Sequence, residues 1–151
     1  TLNLMGKDKL DFLFASNKNL SLQAIHSIAS GGEISRVMLC LKSLLSDKTG
    51  VPTIIFDEID TGVSGEIADK MAEIMQAMSE KIQVLCITHL PQIAAKGKTH
   101  YKVFKESKEE KILTQIKQLN TQERTQEIAQ MLSGSVLSKE AIKNAEVLLK
   151  N

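Results

Sequence analysis

Thr53-Ile54-Ile55-Phe56-Asp57-Glu58-Ile59-Asp60 is the stretch on which the fold turns: an apolar run breaks off into three acids within four positions. The run from Val51 to Phe56 (VPTIIF) carries β-branched residues on both faces, as a strand covered on both sides of a sheet does. A second run of this kind spans Ile82 to Ile87 (IQVLCI), and between the two Ile67, Met71, Ile74, Met75 and Met78 recur at helical spacing. Strand, helix and strand at this length predict a right-handed βαβ crossover with both strands central and parallel. The expected fold class is therefore α/β.

Outward from this unit, Ile34, Val37, Met38, Leu41, Leu44 and Leu45 share one face of an amphipathic helix that ends near the turn from Asp47 to Gly50. Lys9 to Ala15 (KLDFLFA) reads as a strand, followed by a polar loop through Asn17 to Asn19. Tyr101 to Lys105 and Lys111 to Lys117 read as a hairpin about Ser107 to Glu110. Two helices, Thr121 to Leu132 and Ser138 to Leu149, close the chain on either side of a Ser133-Gly134-Ser135 break. No internal repeat, low-complexity tract or linker interrupts the pattern, so residues 1–151 are read as a single domain.

With 151 residues, 42% of them hydrophobic and 25% charged, the chain can build one sizeable core. No apolar run approaches the ~20 residues of a bilayer span, so a membrane is not an expected partner. Nineteen basic against eighteen acidic residues leave a net charge of +1, which removes bulk attraction to nucleic acid as an argument. Aromatic content of 3% leaves little on which bases could stack. One local excess exists: lysines 96, 98, 102, 105, 108, 111 and 117 face three acids between residues 96 and 118. It reads as a solvated hairpin face, with a DNA contact as the alternative. Cys40 and Cys86 sit in apolar runs and are expected to be buried free thiols, which fits a reducing cytosol. The first residue is Thr1, as in a piece of a longer chain.

Acids directly after a buried strand are expensive to bury. In an open parallel sheet ligands sit at the carboxyl ends of the strands, so Asp57 and Glu58 are expected to emerge beside a ligand. The Walker B arrangement of nucleotide hydrolases has this geometry: the first acid holds Mg²⁺ and the second orients or deprotonates the attacking water. The competing reading is a strand ending in a solvated acidic turn. Ser30-Gly31-Gly32-Glu33 opens the preceding helix, and Ser30 with Glu33 has the spacing of a capping box. The cap leaves the two glycines unexplained, because glycine weakens a helix. Bare amides and a hydroxyl at a helix start make a phosphate site. His89, in C-I-T-H-L-P, follows the second strand and leaves the same sheet edge as Glu58, within reach of a γ-phosphate or the attacking water. For a lone histidine, a purely structural role is the ordinary alternative.

The three elements in this order resemble the ABC-type ATPase head: signature motif, Walker B and switch histidine. More closely, Ile28 to Leu39 (IASGGEISRVML), Ile55 to Gly65 (IFDEIDTGVSG) and Thr88 to Ala95 (THLPQIAA) are similar to the RecN family of SMC-like bacterial DNA-repair ATPases. The likeness runs from about Gly6 to the C-terminal helix. It implies the C-terminal lobe of an ABC/SMC-type P-loop ATPase head. It also implies that Ser30, Gly31 and Gly32 contact the γ-phosphate of ATP on a partner head, that Asp57 serves Mg²⁺, that Glu58 is the catalytic base and that His89 senses the γ-phosphate. The D-loop aspartate of the general ABC pattern falls on Ser64, so Asp60 and Ser64 are given only an interface role. The implied cofactors are ATP and Mg²⁺. The implied partners are the chain's own N-terminal Walker A lobe, a second head in an ATP-dependent homodimer and, through the full-length protein, DNA, all in the bacterial cytoplasm at the nucleoid.

A Walker A loop, whose glycines and lysine cradle the phosphates, is missing from the sequence. Gln92 to Thr99 (QIAAKGKT) ends in G-K-T but has Gln92 where the first glycine belongs, and reads as chance. In RecN-like proteins the Walker A lobe lies at the N-terminal end beyond a long coiled coil, so the isolated chain is expected to be inactive. A DExD helicase matches D-E-I-D literally, but the preceding S-G-G-E and the following T-H-L-P oppose it. The I-D-T-G-V-S-G continuation opposes a transporter ATPase subunit. A non-catalytic interaction module that keeps an ABC-like surface remains the alternative from another class, and an ATPase assay with the N-terminal lobe restored separates it.

Overall fold

Pro52 has no amide hydrogen to give a ladder, and the strand formed by the VPTIIF run begins one residue after it. The computed structural model describes residues 6–8, 10–15, 18–28, 30–46, 48, 50–108, 111–134 and 137–150. Lys9, Asn17, Ala29, Asp47, Glu109, Glu110 and Ser135, which figure in the sequence reading, lie outside them. In chain order the elements are β1 (Leu13–Phe14), β2 (Gln23–Ala24), α1 (Ile25–Ile28), α2 (Gly31–Leu45), β3 (Thr53–Asp57), α3 (Glu66–Ser79), β4 (Gln83–Ile87), α4 (Pro91–Lys96), β5 (Tyr101–Lys108), β6 (Lys111–Gln118), α5 (Thr121–Ser133) and α6 (Lys139–Lys150).

β3 and β4 pair in parallel, with Thr53 opposite Gln83 and Asp57 opposite Ile87, and α3 is the crossover between them. The methionine spacing works as expected: Met71, Met75 and Met78 are buried, together with Ala68 and Ala72. They form one core with Leu39, Phe56, Val63 and Ile93, against which Ile54, Val84 and Cys86 pack from the strands. Ile67 is the exception, exposed on the outer side of α3. A second core joins α4, α5 and α6 through Ala95, Ile128, Ala129, Ala141 and Ala145. The Arg124 guanidinium ties these layers by donating to the Ala95 and Gly97 carbonyls at 2.6 and 2.5 Å, at the end of α4. β5 and β6 form the expected antiparallel hairpin, Tyr101 opposite Gln118, with longer arms than the pattern suggested.

Four expectations need correction. The central strands are covered on one face only: Ile55, Leu85 and Ile87 are exposed, Ile55 to 64%, because α3 packs on one side. The apolar face of α2 is largely bare as well, with Ile34, Met38, Leu44 and Leu45 exposed, and the residue that reaches the core is Leu39. Cys40 is therefore exposed, since it lies one position on from that single anchor, whereas Cys86 is half-buried; both are free thiols. Upstream, the strand is two residues long and pairs antiparallel with β2, an element too short to leave a pattern. In addition, α4 was hidden in T-H-L-P-Q-I-A-A: Pro91 occupies its first turn, where a missing amide costs nothing. Gln92 to Lys96 are helical, so the G-K-T string is no phosphate loop opening a helix.

Candidate functional site

The acids leave β3 at its carboxyl end. Asp57 is the last strand residue, exposed, with its partner Ile87 ending β4 beside it. Glu58 then turns sharply. Its φ of 48° is left-handed, a conformation that a residue with a Cβ adopts at a cost of about 1–3 kcal/mol. Three hydrogen bonds hold it there: its amide donates to the Ile87 carbonyl at 3.0 Å, and its carbonyl accepts from the Thr61 amide at 3.3 Å and the Thr61 hydroxyl at 3.0 Å. The Glu58 backbone is thus tied to the end of β4, the strand that leads to His89, and its side chain is exposed.

Asp60, given an interface role from the sequence, is 0% exposed within this chain. Its Oδ2 accepts the Thr88 hydroxyl, and Thr88 Oγ1 in turn accepts the Leu90 amide at 3.0 Å. His89 Nδ1 lies 3.7 Å from Asp60 Oδ1, while the ring itself is 64% exposed. His89 therefore meets the buried Asp60 of the acidic loop, and Glu58 is joined to β4 through its backbone. Ser64 is exposed and stands just before α3. Burial, and then the Asp60 charge, push the Cys86 thiol up to about 11 on the covered side of the sheet. Sequence reasoning missed Thr88 and the burial of Asp60. The available signal was a hydroxyl and an acid on loops that leave adjacent parallel strands.

At the start of α2 the capping box forms in full. The Ser30 amide and hydroxyl both donate to Glu33 Oε2 at 2.8 Å, and the Glu33 amide donates back to Ser30 Oγ at 3.3 Å. The backbone bond, followed by the hydroxyl, holds the Glu33 carboxyl below its ordinary range. The two glycines divide. A Cβ on Gly32 would stand 3.2 Å from the Arg36 guanidinium and 3.4 Å from the Thr61 carbonyl, whereas one on Gly31 would meet open space. The tighter contact at Gly32 is thus with Arg36 of its own helix, and the Thr61 carbonyl of the loop that follows Asp57-Glu58 stands at ordinary contact distance beside the helix start.

Among the described residues no three His, Cys, Asp or Glu side chains converge as a metal cage. A magnesium ion shared with phosphates needs no cage, only one or two carboxylates, and the exposed Asp57 at the strand end fits that demand. Among the described residues no helix is long and apolar enough to cross a membrane.

No protein-family model matches the chain. DNA repair protein RecN of Rickettsia conorii is 46% identical over 144 residues, which cover 95% of this chain and 26% of that protein. RecN of Bacillus subtilis is 44% identical over 149 residues, 99% of this chain and 26% of the relative. The chain is RecN-like along nearly its whole length. It spans about a quarter of the length of the curated RecN proteins it matches. The RecN-like chain also shares its fold with SMC heads. The Smc head domain with a coiled coil and joint from Pyrococcus yayanosii aligns with TM-score 0.58 at 19% identity, over 84% of this chain and 20% of that one. An SMC ATPase described for ATP-driven dimerization and DNA-stimulated activation aligns with TM-score 0.55 at 13% identity, over 78% and 70%.

Proposed function

We propose that the chain, as a single unit, is the C-terminal lobe of the ATPase head of a RecN-like protein acting in recombinational double-strand-break repair in the bacterial cytoplasm. The observation that carries the reading is one edge of one strand pair: Asp57-Glu58 and Thr88-His89 leave it together, with the start of α2 packed against the same loop. Its bare face, with Ile55, Leu85 and Ile87, fits a missing lobe that carries the Walker A loop.

In the complete head Asp57 would hold Mg²⁺, which would supply positive charge to offset that of the ATP phosphates. Glu58, held just past the strand end by its left-handed backbone, takes the proton of the attacking water. His89 meets the γ-phosphate from the adjacent loop. Ser30, Gly31 and Gly32 present a helix start to the γ-phosphate of ATP on a second head. There the Ser30 hydroxyl turns its proton from Glu33 to a phosphate oxygen.

The purified chain is expected to show no ATP turnover, and the Walker A lobe is expected to restore it. In that assembly Glu58→Gln should keep ATP-dependent head association while turnover falls about 10²–10⁴-fold. Ser30→Arg should abolish association itself. Turnover by the chain alone, or equal weakening of association by both substitutions, overturns the reading. Association without turnover in the restored head favours the interaction module.

A further inference from the structure

A carboxylate removed from water is stable only where its lone pairs are met. Asp60, fully buried, has one oxygen satisfied: Oδ2 accepts the Thr88 hydroxyl. Oδ1 is buried too and has no hydrogen-bond partner among the described residues. The group facing it is Nδ1 of His89, at 3.7 Å, about half an ångström beyond a hydrogen bond. Asp60 is itself anchored, since its carbonyl accepts the Val63 amide at 3.0 Å, whereas the His89 ring is largely in solvent. A fixed acid beside a free ring sets the ring, and not the reverse.

We infer that Asp60 is a positioning residue for His89. It accepts Nδ1–H, holds the imidazole in the Nδ1-protonated tautomer and leaves Nε2 to face the nucleotide or the attacking water. Which imidazole nitrogen carries the proton is decided by the hydrogen bond at the other one, and buried carboxylates recur in this role behind working histidines. Thr88 completes the arrangement by joining Asp60 to the loop that carries His89. The consequence for catalysis rests on the γ-phosphate role proposed for His89; the tautomer does not.

The test begins with the ¹⁵N-labelled chain, whose imidazole nitrogens are read by long-range ¹H–¹⁵N correlation at a pH where the rings are neutral. His89 is expected to show a protonated Nδ1 and a bare Nε2. Asp60→Asn, which keeps the size and an oxygen for Thr88, should move the proton to Nε2. An Nε2-protonated His89 in the native chain overturns the inference even if the variant does not fold, and so does a tautomer that ignores Asp60→Asn. In the complete head, Asp60→Asn should lower kcat about 10–100-fold with little change in the KM for ATP, and should add no loss to His89→Gln. If the tautomer responds but His89→Gln leaves turnover intact, the pairing stands and the γ-phosphate role of His89 falls. If His89→Gln abolishes turnover while the tautomer ignores Asp60, the reverse holds.

Discussion

Ile55 and Phe56 are neighbours in sequence and opposite in circumstance. Phe56 is buried in one core with Met71, Met75 and Met78, while Ile55 on the other face of β3 is open to solvent. β4 repeats the division, with Val84 and Cys86 packed and Leu85 and Ile87 bare. Both faces are apolar, so the residues do not cause the difference. The inner face is covered because two parallel strands require a crossover, and the crossover helix lands on it. The outer face has no such obligatory neighbour within this unit and stays bare. Residues of α2 split the same way, Leu39 inside and Ile34, Met38, Leu44 and Leu45 outside.

The sharpest way to break this comparison is to truncate the two neighbours one at a time. Phe56→Ala should cost about 3–5 kcal/mol, because the ring is nearly surrounded and leaves a cavity behind. Ile55→Ala should change the stability of the chain by no more than about 0.5 kcal/mol. Urea unfolding of the two variants reads both values. Equal losses would mean that the outer face is already covered in solution, by a second copy of this chain or otherwise, and the division would not hold. Ile55→Ala should instead weaken capture of the Walker A lobe, which sharpens the contrast from the other side.

What could be read in advance follows the same line between local and non-local causes. Strand, crossover helix and parallel strand were legible because each is written in a short periodic pattern: the TIIF run, the Met71–Met75–Met78 spacing and the VLCI run. The edge at which Asp57, Glu58 and His89 emerge followed from that topology. The side of α2 that packs was not legible, since Ile34, Met38 and Leu44 form the better apolar stripe and Leu39 is the residue that meets α3. The burial of Asp60 was not legible, since the hydroxyl that meets its carboxylate belongs to Thr88, 28 residues away. The two readings of Ser30 could not be ranked from S-G-G-E, because the cap that forms and the proposed phosphate contact call on the same hydroxyl.

The two cysteines sharpen the comparison on a second pair of surfaces. Cys86 lies on the covered side of β4, where burial and the Asp60 charge raise its thiol from an ordinary 9.0 to about 11. A rise of two units leaves about one hundredth of the thiolate, the species that reacts. Cys40 is exposed on the bare side of α2. At pH 8 a thiol reagent should modify Cys40 about 100-fold faster or more, followed by mass spectrometry after digestion. The sign for stability is also fixed: the fold favours the neutral Cys86 thiol, so its contribution is complete below pH 9 and is lost as pH rises toward 11. Comparable labelling rates would place Cys86 outside the core.

The smallest effect concerns two helix starts, one beneath the bare stripe of α2 and one on the packed α5. Both are closed by capping boxes, Ser30 with Glu33 and Asn120 with Glu123. The Glu33 carboxyl is lowered by the Ser30 amide and hydroxyl, and that of Glu123 by Lys117, at 2.5 Å, and then by the Asn120 amide. A lowered folded value means that each cap contributes fully above the ordinary carboxyl value and fades as pH falls below it through the lower folded value. Both carboxylates are at the surface, where water screens them, so the urea midpoint should slope only gently in this window. Glu33→Gln should reduce the slope while leaving the neutral-pH midpoint nearly unchanged, because an amide oxygen still accepts from Ser30. Ser30→Ala removes the cap itself and should cost about 1 kcal/mol at neutral pH. If the slope between pH 5 and 3 is the same in Glu33→Gln as in the native chain, the charge at this helix start contributes nothing, and α2 is held by Leu39 and its own backbone alone.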